Sequence, residues 1–305
     1  MDDVVAISDL SHLIPAAQTT ALLPDTERMA HLRADHWIGY TRAQTAVAKL
    51  EEMLIGPPRL RMPNLLIVGP TNNGKSMIIE KFRRRHRPES TPTQDHQIIP
   101  VLVMQMPSDP SLTRFYNMVL SALNAPLRPR ARVAELEALV LHLMRTTSVR
   151  MLVIDELHNM LAGSTAMQRE FLNLIRFLGN ELRIPIIGVG TRDAYLAIRS
   201  DDQLENRFEP FSLPLWEEDE ELLALLASFA AVYPLRRPSE LHQPEMARYI
   251  LERTEGTIGE MARLLSHAAV AAIESGTEAI TNRTLTLAKY DSPTERRRAF
   301  ERRIS

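Results

Sequence analysis

The sequence predicts an α/β fold: a parallel β-sheet flanked by helices, followed by a small C-terminal all-helical domain. Three observations carry this. Short apolar runs (Leu65–Val68, Ile98–Met104, Val149–Ile154, Ile184–Thr191) alternate with stretches of helical period. Runs that are apolar on both faces suit buried parallel strands. The first run ends at Gly69 and leads through Gly-x-x-x-x-Gly-Lys-Ser into the helical stretch Met77–Phe82, giving strand, loop and helix in succession. From Trp216 onward only helical periodicity remains.

Residues 1 to about 30 read as an irregular, partly helical lead-in, broken by Pro15 and Pro24. Thr41 can cap a helix over Arg42–Leu54 with Ala43, Val47, Leu50 and Leu54 on one face, stopped by Gly56-Pro57-Pro58. After the loop's helix, Arg83–Arg87 is either a nucleic-acid patch or a set of cations offsetting the helix dipole. Pro88–His96 is a polar loop, and Pro100 marks a bulge or edge in the second strand. Helices follow over Ser111–Asn124, opened by Asp109-Pro110, and over Ala134–Arg145. The next strand ends in Asp155-Glu156, and an amphipathic helix at Gln168–Leu182 precedes the strand closing on Thr191. Beyond the acidic start Glu217–Glu221, helices are expected over Leu222–Ala231, Gln243–Arg253 and Ile258–Ser275, then a basic tail. The expected division is an N-terminal segment 1–40, a core 41–215, a helical lid 216–290 and a tail 291–305.

The totals agree with this reading. A chain of 305 residues suits one large domain and a smaller one. Hydrophobic content of 45% with 24% charged residues is that of a globular protein, and the scarcity of aromatics (5%) suits a core built on Leu, Ala, Ile and Met. The absence of cysteine excludes a disulfide framework and a thiolate metal site, and leads to the expectation of a cytoplasmic setting. No apolar run approaches a membrane span, and Met1-Asp2-Asp3-Val4 lacks a signal-peptide pattern. The net charge of −2 decides nothing about nucleic acid; the distribution of charge matters more.

The loop carries the chemistry. Gly69, Pro70, Thr71, Asn72, Asn73, Gly74, Lys75, Ser76 and Met77 fit a polyphosphate cradle, with Gly69 and Gly74 letting the backbone close on the anion and the amides of Asn72–Ser76 turned inward. Lys75 would reach the β- and γ-phosphates of a nucleoside triphosphate, and the Ser76 hydroxyl would ligate Mg²⁺. Asp155 suits Mg²⁺, and Glu156 beside it suits orienting or deprotonating an attacking water. Both acids stand at the strand edge where open α/β sheets bind ligands. Thr191 would sense the γ-phosphate or, alternatively, cap the following helix. Arg207 would project into a neighbouring subunit's nucleotide or form a surface salt bridge, and Arg199 is a weaker rival for the first role.

Together Gly69–Ser76, Met151–Glu156, the strand ending at Thr191, Arg207 and the helical module resemble an AAA+ ATPase over nearly the whole chain. Trp37-Ile38-Gly39-Tyr40, the run Arg61–Ser76 and Ile154–Asn159 resemble more narrowly the TniB/TnsC type of transposition ATPase, TniB the more closely. The resemblance implies an ATPase, slow and switch-like, that assembles with ATP into a ring or helical filament of identical subunits on double-stranded DNA. It implies recruitment of a DDE transposase and a TniQ-type accessory protein, disassembly on hydrolysis, and no membrane partner. By the family's layout Trp37, Ile38, Gly39 and Tyr40 would line the adenine pocket, and Thr113 and Arg114, in the segment after the second strand, would grip the DNA backbone without sequence preference. The sequence departs from the AAA+ pattern where a Gly-x-x-Arg is usual: Gly256 leads to Gly259, and Arg263 follows a turn later. The alternatives are a helicase-loader or phage-replication AAA+ ATPase, and a signalling or secretion-associated ATPase that binds no DNA.

Overall fold

The computed structural model of the protein describes residues 9–90, 96–108 and 111–304. The acidic opening Met1-Asp2-Asp3-Val4, the Asp109-Pro110 pair and part of the Pro88–His96 loop lie outside them. Three helices, α1 (Pro15–Ala21), α2 (Asp25–Leu32) and α3 (Thr41–Ile55), lead to strand β1 (Asn64–Val68) and helix α4 (Lys75–Arg85). The short strands β2 (Glu89–Ser90) and β3 (Gln97–Ile98) precede β4 (Val101–Gln105), α5 (Leu112–Ala122) and α6 (Val133–Thr146). Strand β5 (Met151–Asp155) runs into a 3-10 turn at Leu157–Ala162, then α7 (Thr165–Leu182), β6 (Ile186–Gly190), α8 (Arg192–Arg199), the one-turn α9 (Asp202–Glu205) and β7 (Phe208–Ser212). Helices α10 (Glu220–Val232), α11 (Pro244–Thr254), α12 (Ile258–Glu274), α13 (Asn282–Leu287) and α14 (Pro293–Ile304) follow. By internal contact the chain forms two compact units, residues 45–214 and residues 1–44 with 215–305.

The first unit is the parallel α/β sheet the sequence predicts. Its strands run in the order β4-β5-β6-β1-β7, every pairing parallel, with Leu66 opposite Gly188, Leu152 opposite Ile186 and Gln105 opposite Asp155. The carboxyl ends of the strands therefore share one edge. β1 lies between strands contributed by later parts of the chain on both sides, so that edge carries a topological switch point. Leu65, Ile67, Leu152, Val153, Ile154 and Ile187 are buried, as strands covered on both faces require. Pro100 interrupts the expected run 98–104: lacking an N–H, it ends the pairing of β3 and instead accepts from the amides of Arg150 (2.9 Å) and Met151 (3.1 Å). β7 is an edge strand that the apolar-run pattern does not mark; only Phe208 of its five residues is fully buried.

The second unit is helical, with Leu222, Leu225, Phe229, Ile250, Leu264 and Leu265 in its core. Capping fixes the start of α10, where the Asp219 carboxylate accepts from the Leu222 amide at 2.8 Å. The lead-in, read from sequence as irregular and partly helical to about residue 30, holds two helices of this unit, Pro15–Ala21 and Asp25–Leu32. Arg28 of α2 is fully buried and donates to the Pro234 carbonyl (3.1 and 2.9 Å) and to the carboxylates of Asp25 and Glu278. The expected basic tail is largely the helix α14, whose Arg296 is held by Glu260 at 2.7 and 3.0 Å.

Candidate active site

The loop after β1 owes its shape to two left-handed residues, Asn72 (φ 60°) and Gly74 (φ 81°), the latter standing just before the first residue of α4. Such a backbone curls its amides into a concave nest over a helix N-terminus, and glycine takes the Gly74 conformation without strain. Gly69 is needed for space: a Cβ there would lie 2.6 Å from the Leu213 carbonyl oxygen. The loop's root is tied on both sides, by the Gly69 amide to Gly190 (3.2 Å) and the Leu213 amide to Val68 (2.7 Å). The Asn73 side chain adds bonds to the carbonyls of Leu213 (2.9 Å) and Pro214 (2.7 Å). Thr71, Asn72 and Ser76 are exposed along this loop.

Lys75 is buried, and its ammonium donates to the carbonyls of Gly69 (2.8 Å) and Pro70 (2.6 Å). Burial pulls its pKa below the ordinary lysine value, while the nearby charges of Glu156 and Asp155 act in the other direction. A buried cation above a nest of amides suits a multiply charged anion. Ser76 Oγ donates to Asp155 Oδ2 at 2.9 Å, so the first turn of α4 is joined to the tip of β5. A hydroxyl and a carboxylate side by side are the hard oxygen donors that Mg²⁺ takes, and the donor set fits that ion.

Asp155 Oδ1 also accepts from the Glu156 amide (2.8 Å). Glu156 has left-handed backbone (φ 54°, ψ 37°), a conformation that costs on the order of 1–3 kcal/mol and collects at functional sites. Its carboxylate lies 3.2 Å from His158 Nε2. His158 Nδ1 and Thr191 Oγ1 are both buried and lack a hydrogen-bond partner among the described residues. His158 Nδ1 lies against the residue before Thr191, since a Cβ on Gly190 would lie 3.4 Å from it. Thr191 stands at the N-cap position of α8, yet its hydroxyl makes no capping bond. A buried polar atom without a partner fits a site that receives a polar ligand. His158 entered the sequence reading only within a motif; its signal was a polar side chain two positions beyond the acid pair.

The segment after β4 meets the same edge. The Met106 amide donates to the Asp155 carbonyl (2.8 Å), and Asn159 Nδ2 donates to the Met106 carbonyl (3.1 Å). Thr113 and Arg114 occupy the first turn of α5, which the Ser111 hydroxyl caps by accepting from the Arg114 amide (3.3 Å). Arg114 is exposed.

Arg207 is not brought to this edge. It precedes β7, with its carbonyl accepting from the Asn64 amide (2.9 Å) and its guanidinium donating to Asn180 (2.8 Å), at the amino end of the sheet. Arg199 is engaged by Glu205 (3.0 Å). In the Arg83–Arg87 run, Arg83 and Arg84 pair with Glu80, and Arg85 and His86 with Glu51. The bonds from Arg83 and Arg84 hold the Glu80 carboxyl at about 2 against the effect of burial.

Trp37–Tyr40 belong to the helical unit, where Tyr40 meets Trp216 edge-on at 5.1 Å and Ile38 joins the core. Gly39, Tyr40, Thr41, Gln44, Trp216 and Glu221 line a cleft of about 200 Å³, and burial raises the Tyr40 hydroxyl to about 12. An aromatic-walled cleft of this kind suits a flat ring. Arg263 is exposed on α12.

Among solved structures, the fold is similar to the ORC2 protein of Aeropyrum pernix in ADPNP–ADP complexes (TM-score 0.57, 15% identity, 86% of this chain and 71% of that one). It is also similar to Cdc6p of Pyrobaculum aerophilum (TM-score 0.55, 15% identity, 85% and 68%) and to the ORC1 protein of Aeropyrum pernix in complex with DNA (0.52, 13%, 86% and 68%). This is the AAA+ fold. No curated protein matches the chain. The family model described as "Bacterial TniB protein" matches residues 28–218, well over half of the sequence, and the chain belongs to the TniB family.

Proposed function

We propose that the protein is an ATP-dependent switch of transposition: it binds ATP, assembles on double-stranded DNA as a homo-oligomeric ring or filament, and engages a DDE transposase and a TniQ-type accessory protein. Hydrolysis to ADP and phosphate then releases the assembly. The observation that carries this reading is the Ser76–Asp155 hydrogen bond beside buried Lys75 and strained Glu156, which unites the loop and the acid pair at one strand edge. Membership of the TniB family supports the transposition setting. The neighbours solved with ADPNP and ADP, and with DNA, support nucleotide and DNA as ligands.

In this reading the loop 69–77 holds the phosphates, with Lys75 supplying the charge and the Asn72–Ser76 amides the hydrogen bonds. Mg²⁺ held by Ser76 and Asp155 would neutralise phosphate charge. Glu156 orients or deprotonates the attacking water, Thr191 senses the γ-phosphate, and Arg207 serves the site of an adjoining copy. Trp37–Tyr40 take the adenine, and Thr113 and Arg114 meet the DNA backbone. Residues 41–215 act as the ATPase core and 216–290 as its lid. A filament needs few phosphate contacts per subunit, because repetition multiplies them.

The test is steady-state ATP hydrolysis with and without duplex DNA. The expected result is a slow basal rate that duplex of unrelated sequences alters alike. Hydrolysis indifferent to DNA, with no nucleotide-dependent DNA binding, would leave an ATPase acting on protein partners.

A further inference from the structure

His158 stands beside Glu156 in the turn after β5, and three features of the chain build its place there. The left-handed backbone of Glu156 reverses the chain into the 3-10 turn at Leu157–Ala162. The side chain two positions on therefore comes back to face the acid, with His158 Nε2 3.2 Å from Glu156 Oε2. The turn itself is fixed. Leu157 and Met160 are buried, the Asn159 amide donates to the Glu156 carbonyl (2.9 Å), and the Asn159 side chain donates to the Met106 carbonyl (3.1 Å).

The third feature lies in β6, where Gly188 and Gly190 stand two residues apart and so on one face of the strand. A Cβ on Gly188 would lie 2.6 Å from Leu157 Cδ2. One on Gly190 would lie 3.4 Å from His158 Nδ1 and 3.5 Å from the His158 amide nitrogen. Both glycines leave room for the turn to lie against the strand, and the imidazole is seated between the Glu156 carboxylate and the end of β6.

That seat assigns the tautomer. An ionised carboxylate only accepts, so the ring nitrogen facing it is the one that carries the proton. Nδ1, buried and without a partner among the described residues, then holds a bare lone pair, where an N–H would be a buried donor with no acceptor. A single neutral donor orients a carboxylate without the full counter-charge of lysine or arginine, which would lower its basicity. The 3.2 Å contact is at the long end of hydrogen-bond reach, as pairs of catalytic groups are before substrate binds.

We propose that His158 is a positioning residue for the hydrolytic step: its Nε2–H holds Oε2 of Glu156 and turns Oε1 towards the attacking water. This rests on the reading of Glu156 as the residue that orients or deprotonates water in an ATPase. It adds a side chain that acts through Glu156 and touches neither water nor nucleotide.

The experiment compares wild type, H158A, H158N, H158Q, E156Q and H158A/E156Q by steady-state hydrolysis across ATP concentration with duplex DNA present, by equilibrium ATP affinity and by thermal melting. H158A and H158N should lose about tenfold or more in kcat, with KM and ATP affinity within about twofold of wild type. The glutamine amide of H158Q donates from the place of Nε2, whereas the shorter asparagine reaches only the place of Nδ1. H158Q should therefore recover to within about threefold of the wild-type kcat. H158A/E156Q should be no slower than E156Q, because no base is left to orient.

A wild-type or higher kcat in H158A would overturn the proposal. So would H158Q no faster than H158N, or losses that multiply in H158A/E156Q. Loss of ATP affinity with kcat kept would place His158 on the nucleotide instead. Should H158A fail to fold, H158Q against H158N decides the matter alone. Equal hydrolysis by wild type and E156Q would overturn the reading of Glu156 beneath it.

Discussion

Ser76 Oγ donates to Asp155 Oδ2 at 2.9 Å, linking the first turn of α4 to the last residue of β5. Two elements some 80 residues apart in sequence thus share one polar contact, with the Lys75 ammonium and the Glu156 carboxylate flanking it. Of these four groups only Lys75 carries positive charge. Lys75→Ala should therefore remove ATP binding and ATP-dependent assembly while leaving the fold in place, since the bonds it removes run to two loop carbonyls. Nucleotide titration with sedimentation checks this, and normal assembly of the variant would contradict it.

Glu156→Gln keeps the shape of the side chain and removes its basicity. It should bind ATP, hydrolyse it roughly a hundredfold or more slowly, and stay on DNA longer. Single-turnover hydrolysis and dissociation from labelled duplex measure the two effects. Rapid release from DNA would argue that Glu156 is not the residue activating water.

Arg114 tests the DNA surface. Arg114→Ala should weaken duplex binding similarly for all sequences and reduce the slope of log affinity against log salt by about one for each phosphate no longer neutralised. An unchanged slope would move the DNA surface to the exposed arginines of α14, Arg297, Arg298, Arg302 and Arg303.

The helical unit has its own pH dependence. Burial pushes the Glu278 carboxyl up, but bonds from the Arg28 guanidinium and the Arg236 amide outweigh it and hold the pKa below the ordinary 4.5. A depressed carboxyl contributes stability that is present above its unfolded pKa and is lost as pH falls through the lower, folded value. Hydrogen exchange in α2 should therefore be slow at neutral pH and accelerate only under acid conditions below the usual carboxylate range. Arg28→Ala should cost about 3 kcal/mol or more, because Glu278 is left partly buried with only Arg236 to pair it, and should weaken that acid transition. Calorimetry across pH checks both.

What the sequence made legible was what periodicity and spacing encode. β1, β5 and β6 are continuous apolar runs, and the Gly-x-x-x-x-Gly-Lys-Ser spacing leads directly into α4. β7 was not legible: Phe208-Glu209-Pro210-Phe211-Ser212 mixes an acid and a proline into an edge strand that needs only one residue buried. Nor were α1 and α2, short segments bordered by Pro15 and Pro24 whose place depends on Arg28 meeting Glu278 across 250 positions. In the candidate site, Lys75, Ser76 and Asp155 could be named from spacing. The pairing of His158 with Glu156 could not, because it depends on the left-handed backbone at Glu156 and the turn that follows it, which no spacing announces.

The most direct measurement is electron microscopy of the protein with duplex DNA in ATP, a non-hydrolysable ATP analogue, ADP and no nucleotide. The account predicts rings or filaments on DNA with ATP and the analogue, longest-lived with the analogue, and bare DNA with ADP or without nucleotide. DNA left bare in every state, or coated equally in all of them, would contradict it.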